Sequence, residues 1–146
     1  ITRDIAPKIN KPKPALIHNI MIPALGGPKG KMSASNENET IYTTDSPEVV
    51  KKKINKYAFS GGQPDIEEHR KKGGNPDIDV SYQYLRIFFE PDDKKLKQIH
   101  DDYKSGKMLT GELKEILIQK INKFLESHQQ KREMARDQLD KFLLKD

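Results

Sequence analysis

Residues 110–125 read Thr110-Gly111-Glu112-Leu113-Lys114-Glu115-Ile116-Leu117-Ile118-Gln119-Lys120-Ile121-Asn122-Lys123-Phe124-Leu125, and their spacing decides the fold class. Leu113, Ile116, Leu117, Ile121, Phe124 and Leu125 recur every three or four positions, which in a helix gathers them into one apolar stripe. Thr110 stands where a hydroxyl can cap that helix. The stripe lapses over 129–132 and resumes at Ala135, Leu139, Phe142 and Leu143. Either the helix breaks near His128 or its middle turns face solvent.

Helical spacing continues upstream. Ser46 with Pro47 behind it is a helix start, and Val49, Val50, Ile54, Tyr57 and Ala58 then form a face from which Lys51, Lys52, Lys53 and Lys56 mostly point away. Gly61-Gly62 ends that helix. Asp65 to Lys72 predicts a short helix closed by Gly73-Gly74, Val80 to Phe89 another, and Pro91 opens one through about Lys104, where Ser105-Gly106 breaks the chain. Tyr82, Leu85, Phe88 and Phe89 have the spacing of a buried face, and Asp77 and Asp79 beside Asn75-Pro76 read as turn and helix-start residues. Met108 reads as packing. The first 45 residues differ. Pro7, Pro12 and Pro14 predict extended chain or loop over 1–14, 15–22 is an apolar run suited to a strand, and 23–40 is an aperiodic Gly, Lys, Ser and Asn-rich loop. A lone strand needs partners. Its sheet is therefore expected in a larger α/β domain outside this chain, with 1–44 as the edge of that domain and 45–146 as a helical domain.

The composition narrows the function classes. No apolar run approaches the ~20 residues of a membrane span, and Ile1-Thr2-Arg3-Asp4 does not open a charged region followed by an apolar one as a secretory leader would, so no membrane partner is expected. Cysteine is absent and four scattered histidines lack ligand spacing, which leaves no protein metal site and points to a reduced, cytoplasmic compartment. The net charge is +5, and all of the excess lies in residues 1–57, with ten Lys/Arg against five Asp/Glu. A local positive field of that kind suits nucleotide phosphates or nucleic acid.

Lys31-Met32-Ser33-Ala34-Ser35, after Gly26-Gly27-Pro28-Lys29-Gly30, supplies a cation and two hydroxyls on a flexible approach, the groups that hold phosphate oxygens during nucleotidyl transfer. A Walker loop does not fit. Leu25 occupies the position of its first glycine, and Met32 follows the lysine.

The pentapeptide resembles the Lys-Met-Ser-Lys-Ser signature of class I aminoacyl-tRNA synthetases, in the form found in eukaryotic-type tryptophanyl enzymes. Pro14-Ala15-Leu16-Ile17-His18, Ala58-Phe59-Ser60-Gly61-Gly62, Ile66-Glu67-Glu68-His69-Arg70, Asp77-Ile78-Asp79-Val80-Ser81 and Met108-Leu109-Thr110-Gly111-Glu112-Leu113-Lys114 resemble that family in its order. The resemblance implies a mainly α chain: the helical anticodon-binding domain of a class I synthetase, preceded by the last strand and the signature loop of a Rossmann-like catalytic domain. It implies a ligase that activates tryptophan with Mg-ATP and transfers it to tRNA(Trp). Lys31, Ser33 and Ser35 would be catalytic. Lys29, Lys31, Met32, Ser33 and Ser35 would close over ATP, and Ile17 and His18 would lie near adenine through their backbones, while their side chains read as core packing.

Ala34 departs from the class pattern, which has a second lysine there. The anticodon would be read by the region after Ser60-Gly61-Gly62 and by Lys114. Relatives resemble Arg-Asp in the first region, where this chain has Gln63-Pro64-Asp65, so Gln63 and Asp65 are the candidates beside Lys114. Capping the helix at Ile66 competes for the Asp65 carboxylate. Tryptophan would bind in the missing domain, which would also form the homodimer, leaving this part monomeric and inactive alone. Two rivals stay open: an RNA-binding helical module without catalysis, and a helical protein-interaction domain in which the loop is incidental.

Overall fold

The computed structural model describes residues 1–142. Its elements are a helical turn α1 (Thr2–Ile5) running into a 3-10 turn (Ala6–Ile9), strands β1 (Pro23–Ala24) and β2 (Gly27–Lys31), and helices α2 (Pro47–Tyr57), α3 (Ile66–Lys72), α4 (Val80–Tyr84), α5 (Asp93–Lys104) and α6 (Thr110–Arg136). A π-helical turn, Leu85–Phe89, extends α4, and a 3-10 turn, Leu139–Lys141, follows α6. The fold is mainly helical, as the spacing predicted.

Local chemistry explains most helix ends. Ser46 caps α2 by accepting the Val49 amide at 3.4 Å, and Pro47 takes the first position, where its missing N–H costs nothing. Asp65 accepts the Glu68 amide at 2.8 Å and starts α3. Asp79 starts α4, with the Ser81 and Tyr82 amides at 2.9 and 3.3 Å. Asp92, rather than Pro91, starts α5, because its carboxylate accepts the Lys94 and Lys95 amides, a task proline cannot perform. Thr110 does not cap α6. Leu109 holds the cap position, its amide donating to the Glu112 carboxylate at 2.6 Å, and the Thr110 hydroxyl is engaged elsewhere.

The helix α6 runs unbroken past His128, so its later turns are the solvent-facing ones. Its N-terminal half packs on α2, α4 and α5. Leu113, Leu117, Ile118, Ile121 and Leu125 meet Val50, Ile54, Val80, Leu85, Ile99 and Tyr103 in one core. Burying a side chain such as Leu117 completely contributes about 1.5–3 kcal/mol. The predicted resumption at Ala135, Leu139 and Phe142 is not a buried stripe: all three are exposed. Leu143 lies outside the described residues. Phe88, Phe124 and Val49 are likewise more exposed than their spacing suggested. In the case of Phe88 the wider π turn rotates the face by part of a turn.

The first forty residues depart furthest from the reading above. Residues 1–9 form two helical turns, with Pro7 near the start of the second and Asn10 closing it in the left-handed region at φ 54°. Residues 15–22 are no strand. Leu16, Ile17, Ile20 and Met21 stand in solvent, because the described residues offer that segment no ladder. Pairing appears instead inside the presumed loop, where β1 and β2 form an antiparallel hairpin with Pro23 opposite Lys31 and Ala24 opposite Gly27. Leu25 at its tip is fully buried in the helical core, its backbone bonded to Phe59 N and Glu39 O, and Tyr84 Oη donates to the Pro23 carbonyl at 2.7 Å.

Candidate functional site

Two sites emerge, one at the hairpin and one between the start of α3 and the start of α6. At the first, the hairpin delivers the pentapeptide. Lys31 ends β2 with its side chain exposed, and the Met32 amide donates to Ile22 O while its side chain packs partly into the core. Ser33, Ala34 and Ser35 then make a tight turn: the Asn36 amide donates to Ser33 O at 3.1 Å and the Ser35 amide to Ser33 Oγ at 3.4 Å. Lys29 lines an adjoining groove of about 560 Å³ with Gly27, Gly30, Phe59 and Ile78. Lys31, Met32, Ser33 and Ser35 follow one another through the end of β2 and the turn, while Lys29 sits on β2 in a groove whose lining includes none of them. Ile17 and His18 precede the hairpin. Both stand exposed on the segment before the hairpin, so their expected core packing does not occur.

The support beneath this turn escaped the reading of the sequence. Thr40 Oγ1 donates to Ser33 O at 2.6 Å and Tyr42 Oη to Ala34 O at 2.9 Å. Lys53, expected to face solvent with the other lysines of α2, instead donates to Asp45 Oδ2 at 2.7 Å and Thr40 O at 2.8 Å, with its ammonium 4.7 Å from the centre of the Tyr42 ring. Its side chain is only 12% exposed. Gln129, far along α6, donates to the Thr43 and Asp45 carbonyls at 3.0 and 3.1 Å. No local pattern distinguishes Lys53 from Lys51, Lys52 and Lys56; only its phase on the helix, three residues after Val50, hinted at an inward direction.

The second site is a groove of about 470 Å³ lined by Gln63, Pro64, Asp65 and Ile66 on one wall, Leu109, Thr110, Gly111 and Glu112 on the other, and His69 between them. Gln63 and Asp65 therefore line the same groove as Thr110, Gly111 and Glu112, some forty-five positions away. Lys114 lies one turn further along α6 and outside the lining. Its ammonium donates to the carbonyl of Asn55 at the end of α2, 3.3 Å away. Burial pushes the Lys114 pKa down, and the Asp79 carboxylate partly opposes this. The direct partner of this ammonium is a neutral carbonyl.

Buried polar groups fix the two walls. His69 accepts the Gln63 amide at Nδ1 and lies 3.0 Å from Met108 O through Nε2, a pattern that assigns the ring proton to Nε2. Asp79, fully buried, accepts four hydrogen bonds: the Ser81 and Tyr82 amides, the Gly61 amide at 2.9 Å and Tyr103 Oη at 2.8 Å. Burial raises the Tyr103 pKa to about 12, so the phenol stays protonated. Thr110 Oγ1 closes the network, 3.1 Å from Tyr103 Oη and 3.2 Å from Ser60 Oγ. Asp79 read as a helix start from the sequence. Its partners at positions 61 and 103 are visible only in three dimensions.

A family model described as tRNA synthetases class I (W and Y) matches residues 1–126. The chain belongs to that family. Among its relatives, the tryptophan–tRNA ligase of Sulfurisphaera tokodaii is 59% identical over 97% of this chain and 37% of that protein. The cytoplasmic tryptophan–tRNA ligase of Homo sapiens is 52% identical over 97% of this chain and 30% of that protein. Of solved structures, tryptophanyl-tRNA synthetase from Aeropyrum pernix K1 superposes with a TM-score of 0.85 at 34% identity, covering 92% of this chain and 37% of that one. The Giardia lamblia tryptophanyl-tRNA synthetase gives 0.82 at 45% identity, covering 90% and 32%. A tyrosyl-tRNA synthetase from Aeropyrum pernix, at 21% identity and TM-score 0.65, shares the fold. The chain spans about a third of the length of these relatives. No helix among the described residues is long and apolar enough to cross a membrane.

Proposed function

We propose that this chain is the part of a tryptophan–tRNA ligase that holds the ATP phosphates and reads the anticodon. The observation that carries the reading is the placement of Lys31-Met32-Ser33-Ala34-Ser35 at the end of a hairpin anchored in the core, in a chain 52–59% identical to ligases of that name over nearly all its length. Residues 1–44 then belong to the catalytic domain and 45–146 to the anticodon-binding domain. In the reaction, the tryptophan carboxylate attacks the α-phosphate of ATP and pyrophosphate leaves, and the aminoacyl group then passes from the adenylate to the 3′-terminal hydroxyl of tRNA(Trp) with release of AMP. Magnesium would arrive with the ATP and offset part of its negative charge.

Within this scheme Lys31 stabilises the negative charge that builds on the leaving phosphates, and the Ser33 and Ser35 hydroxyls fix their oxygens. Lys29 adds a second cation where Ala34 supplies none. Ile17 and His18 present backbone groups to adenine, a role that their exposed segment leaves available. Gln63, Asp65 and Lys114 contact the anticodon, and the walls at Gln63 and Thr110 give a groove in which a splayed base can lie. Tryptophan binds in the remainder of the enzyme, which also makes the homodimer. The cytoplasm is the compartment that the human and yeast relatives' names suggest.

The test is Lys31→Ala in the full-length enzyme. Tryptophan-dependent pyrophosphate exchange should fall about 10²–10³-fold, the scale of one preorganised charge, with tryptophan affinity nearly constant. An unchanged exchange rate would remove the loop from the mechanism. Salt-sensitive tRNA binding without ATP binding would favour the RNA-binding module instead.

A further inference from the structure

We infer that Thr40, Tyr42 and Lys53 are positioning residues for the signature loop, forming with Asp45 a pedestal that holds the Ser33–Ala34 backbone in the geometry the phosphates require. The inference rests on the ATP-phosphate reading above and adds to it a set of residues that no motif contains.

The pedestal is built in two tiers. In the lower tier Lys53 and Asp45, 12% and 11% exposed, form an ion pair at 2.7 Å. Each member then spends a second contact on the backbone above it: Lys53 Nζ on Thr40 O at 2.8 Å, Asp45 Oδ2 on the Tyr42 amide at 3.0 Å. Stability alone does not call for charges here, since apolar side chains of the same volume serve as well or better at buried sites. What the pair does add is direction. It fixes residues 40–42 by their main chain and so aims two hydroxyls upward, Thr40 Oγ1 at Ser33 O and Tyr42 Oη at Ala34 O. These are the third and fourth carbonyls of the pentapeptide. The cation–π contact between Lys53 and the Tyr42 ring keeps that ring over the pair.

The upper tier explains how the loop manages with alanine at position 34. A loop bearing a second lysine can be drawn onto the phosphates by that charge. Here the Ala34 side chain offers nothing to a phosphate, and its carbonyl is instead held from below by a neutral donor. The loop is set before the nucleotide arrives, so less ordering remains for the transition state. Gln129 braces the same segment from α6 through Thr43 and Asp45.

The full-length ligase should be compared with its Tyr42→Phe and Thr40→Val variants, each of which removes one hydroxyl and little volume. Both should lower the kcat of pyrophosphate exchange about ten-fold with the KM for tryptophan within about two-fold, because a displaced loop costs rate rather than amino-acid affinity. Transfer from preformed tryptophanyl-adenylate to tRNA should stay unchanged, and Thr40→Ser should recover most of the exchange rate. Lys31→Ala is the parallel control. If it slows exchange while Tyr42→Phe and Thr40→Val do not, the pedestal has no positioning role. If exchange and transfer fall together in step with a lowered melting temperature, the hydroxyls serve stability only and the inference is overturned. If Lys31→Ala itself has no effect, the ATP-phosphate reading fails and the pedestal's role with it.

Discussion

Removing the hydroxyl of Tyr103 should loosen the groove from within. The residue is fully buried, and its phenol donates to Asp79 Oδ2 at 2.8 Å while sharing a 3.1 Å contact with Thr110 Oγ1. Tyr103→Phe leaves the ring and its contact with His69, centroids 5.2 Å apart, in place. Asp79 then keeps three amide donors for a carboxylate with no access to water. Loss of one hydrogen bond to a buried charge costs about 1.5–3 kcal/mol. Taking about 2 kcal/mol as the centre, the ratio of folded to unfolded chain drops roughly 30-fold. At about 2–4 °C per kcal/mol for a chain near this size, the melting temperature should fall about 4–8 °C. Thermal and urea melts followed by circular dichroism at 222 nm measure both quantities, and an unchanged urea slope shows that the unfolded reference has not moved. A shift below about 1 °C would mean that the Asp79 network is no structural hub, and the account of how the two walls are held would be wrong.

Other outcomes follow from the same geometry. Lys114→Ala and Asp65→Ala should lower charging of tRNA(Trp) more than that of single-base anticodon variants, by about 1–3 kcal/mol of discrimination; an equal loss on every anticodon, with adenylate formation intact, would make both residues mere positioning contacts. Gly73 has φ 73°, and a Cβ built there overlaps the Lys104 carbonyl oxygen, so Gly73→Ala should destabilise by about 2–3 kcal/mol or more, read as a lower urea midpoint. Glu90 is paired with Lys120 at 2.9 Å, and although burial opposes its charge, hydrogen bonds from Lys120 and the Asp92 amide outweigh that and hold its carboxyl below the ordinary range. A depressed carboxyl stabilises the fold above its unfolded pKa and loses that contribution as pH falls through the folded value. Melting temperature should therefore drop below about pH 4.5, and Glu90→Gln should flatten this part of the profile; identical acid profiles would refute the pairing.

The sequence carried the helices because their signals are local. Ser46, Asp65 and Asp79 cap within three residues of themselves, and the Leu113 to Leu125 spacing needs no knowledge of what covers it. Glu112 shows the limit even of local signals: the threonine drew attention as a cap, while the carboxylate two residues on does the work at Leu109. The strand was misplaced for a different reason. Apolar content in 15–22 outweighed the fact that a strand exists only through a partner, and the partnered segments, 23–24 and 27–31, contain two prolines and two glycines between them. In the candidate site the motif residues were legible, and their scaffolding was not. Thr110 meets Ser60, Tyr103 meets Asp79, and Gln129 meets Thr43 across intervals of 24 to 86 positions. No spacing within one segment encodes such pairs.

The length of α6 makes it a ruler. Its 27 residues span about 40 Å at 1.5 Å per residue, with Thr110 in the groove at one end and Gln129 clasping Thr43 and Asp45 toward the other. Each residue also turns the helix by about 100°, so the two ends share a phase as well as a distance. Adding or deleting one residue between 114 and 128 would swing Gln129 off its carbonyls while carrying it about 1.5 Å along the axis. Seven residues, close to two full turns, would nearly restore the angle, and would then overshoot the loop by about 10 Å. This stretch of the chain can change its side chains freely on the wet face, yet it has no freedom in its count.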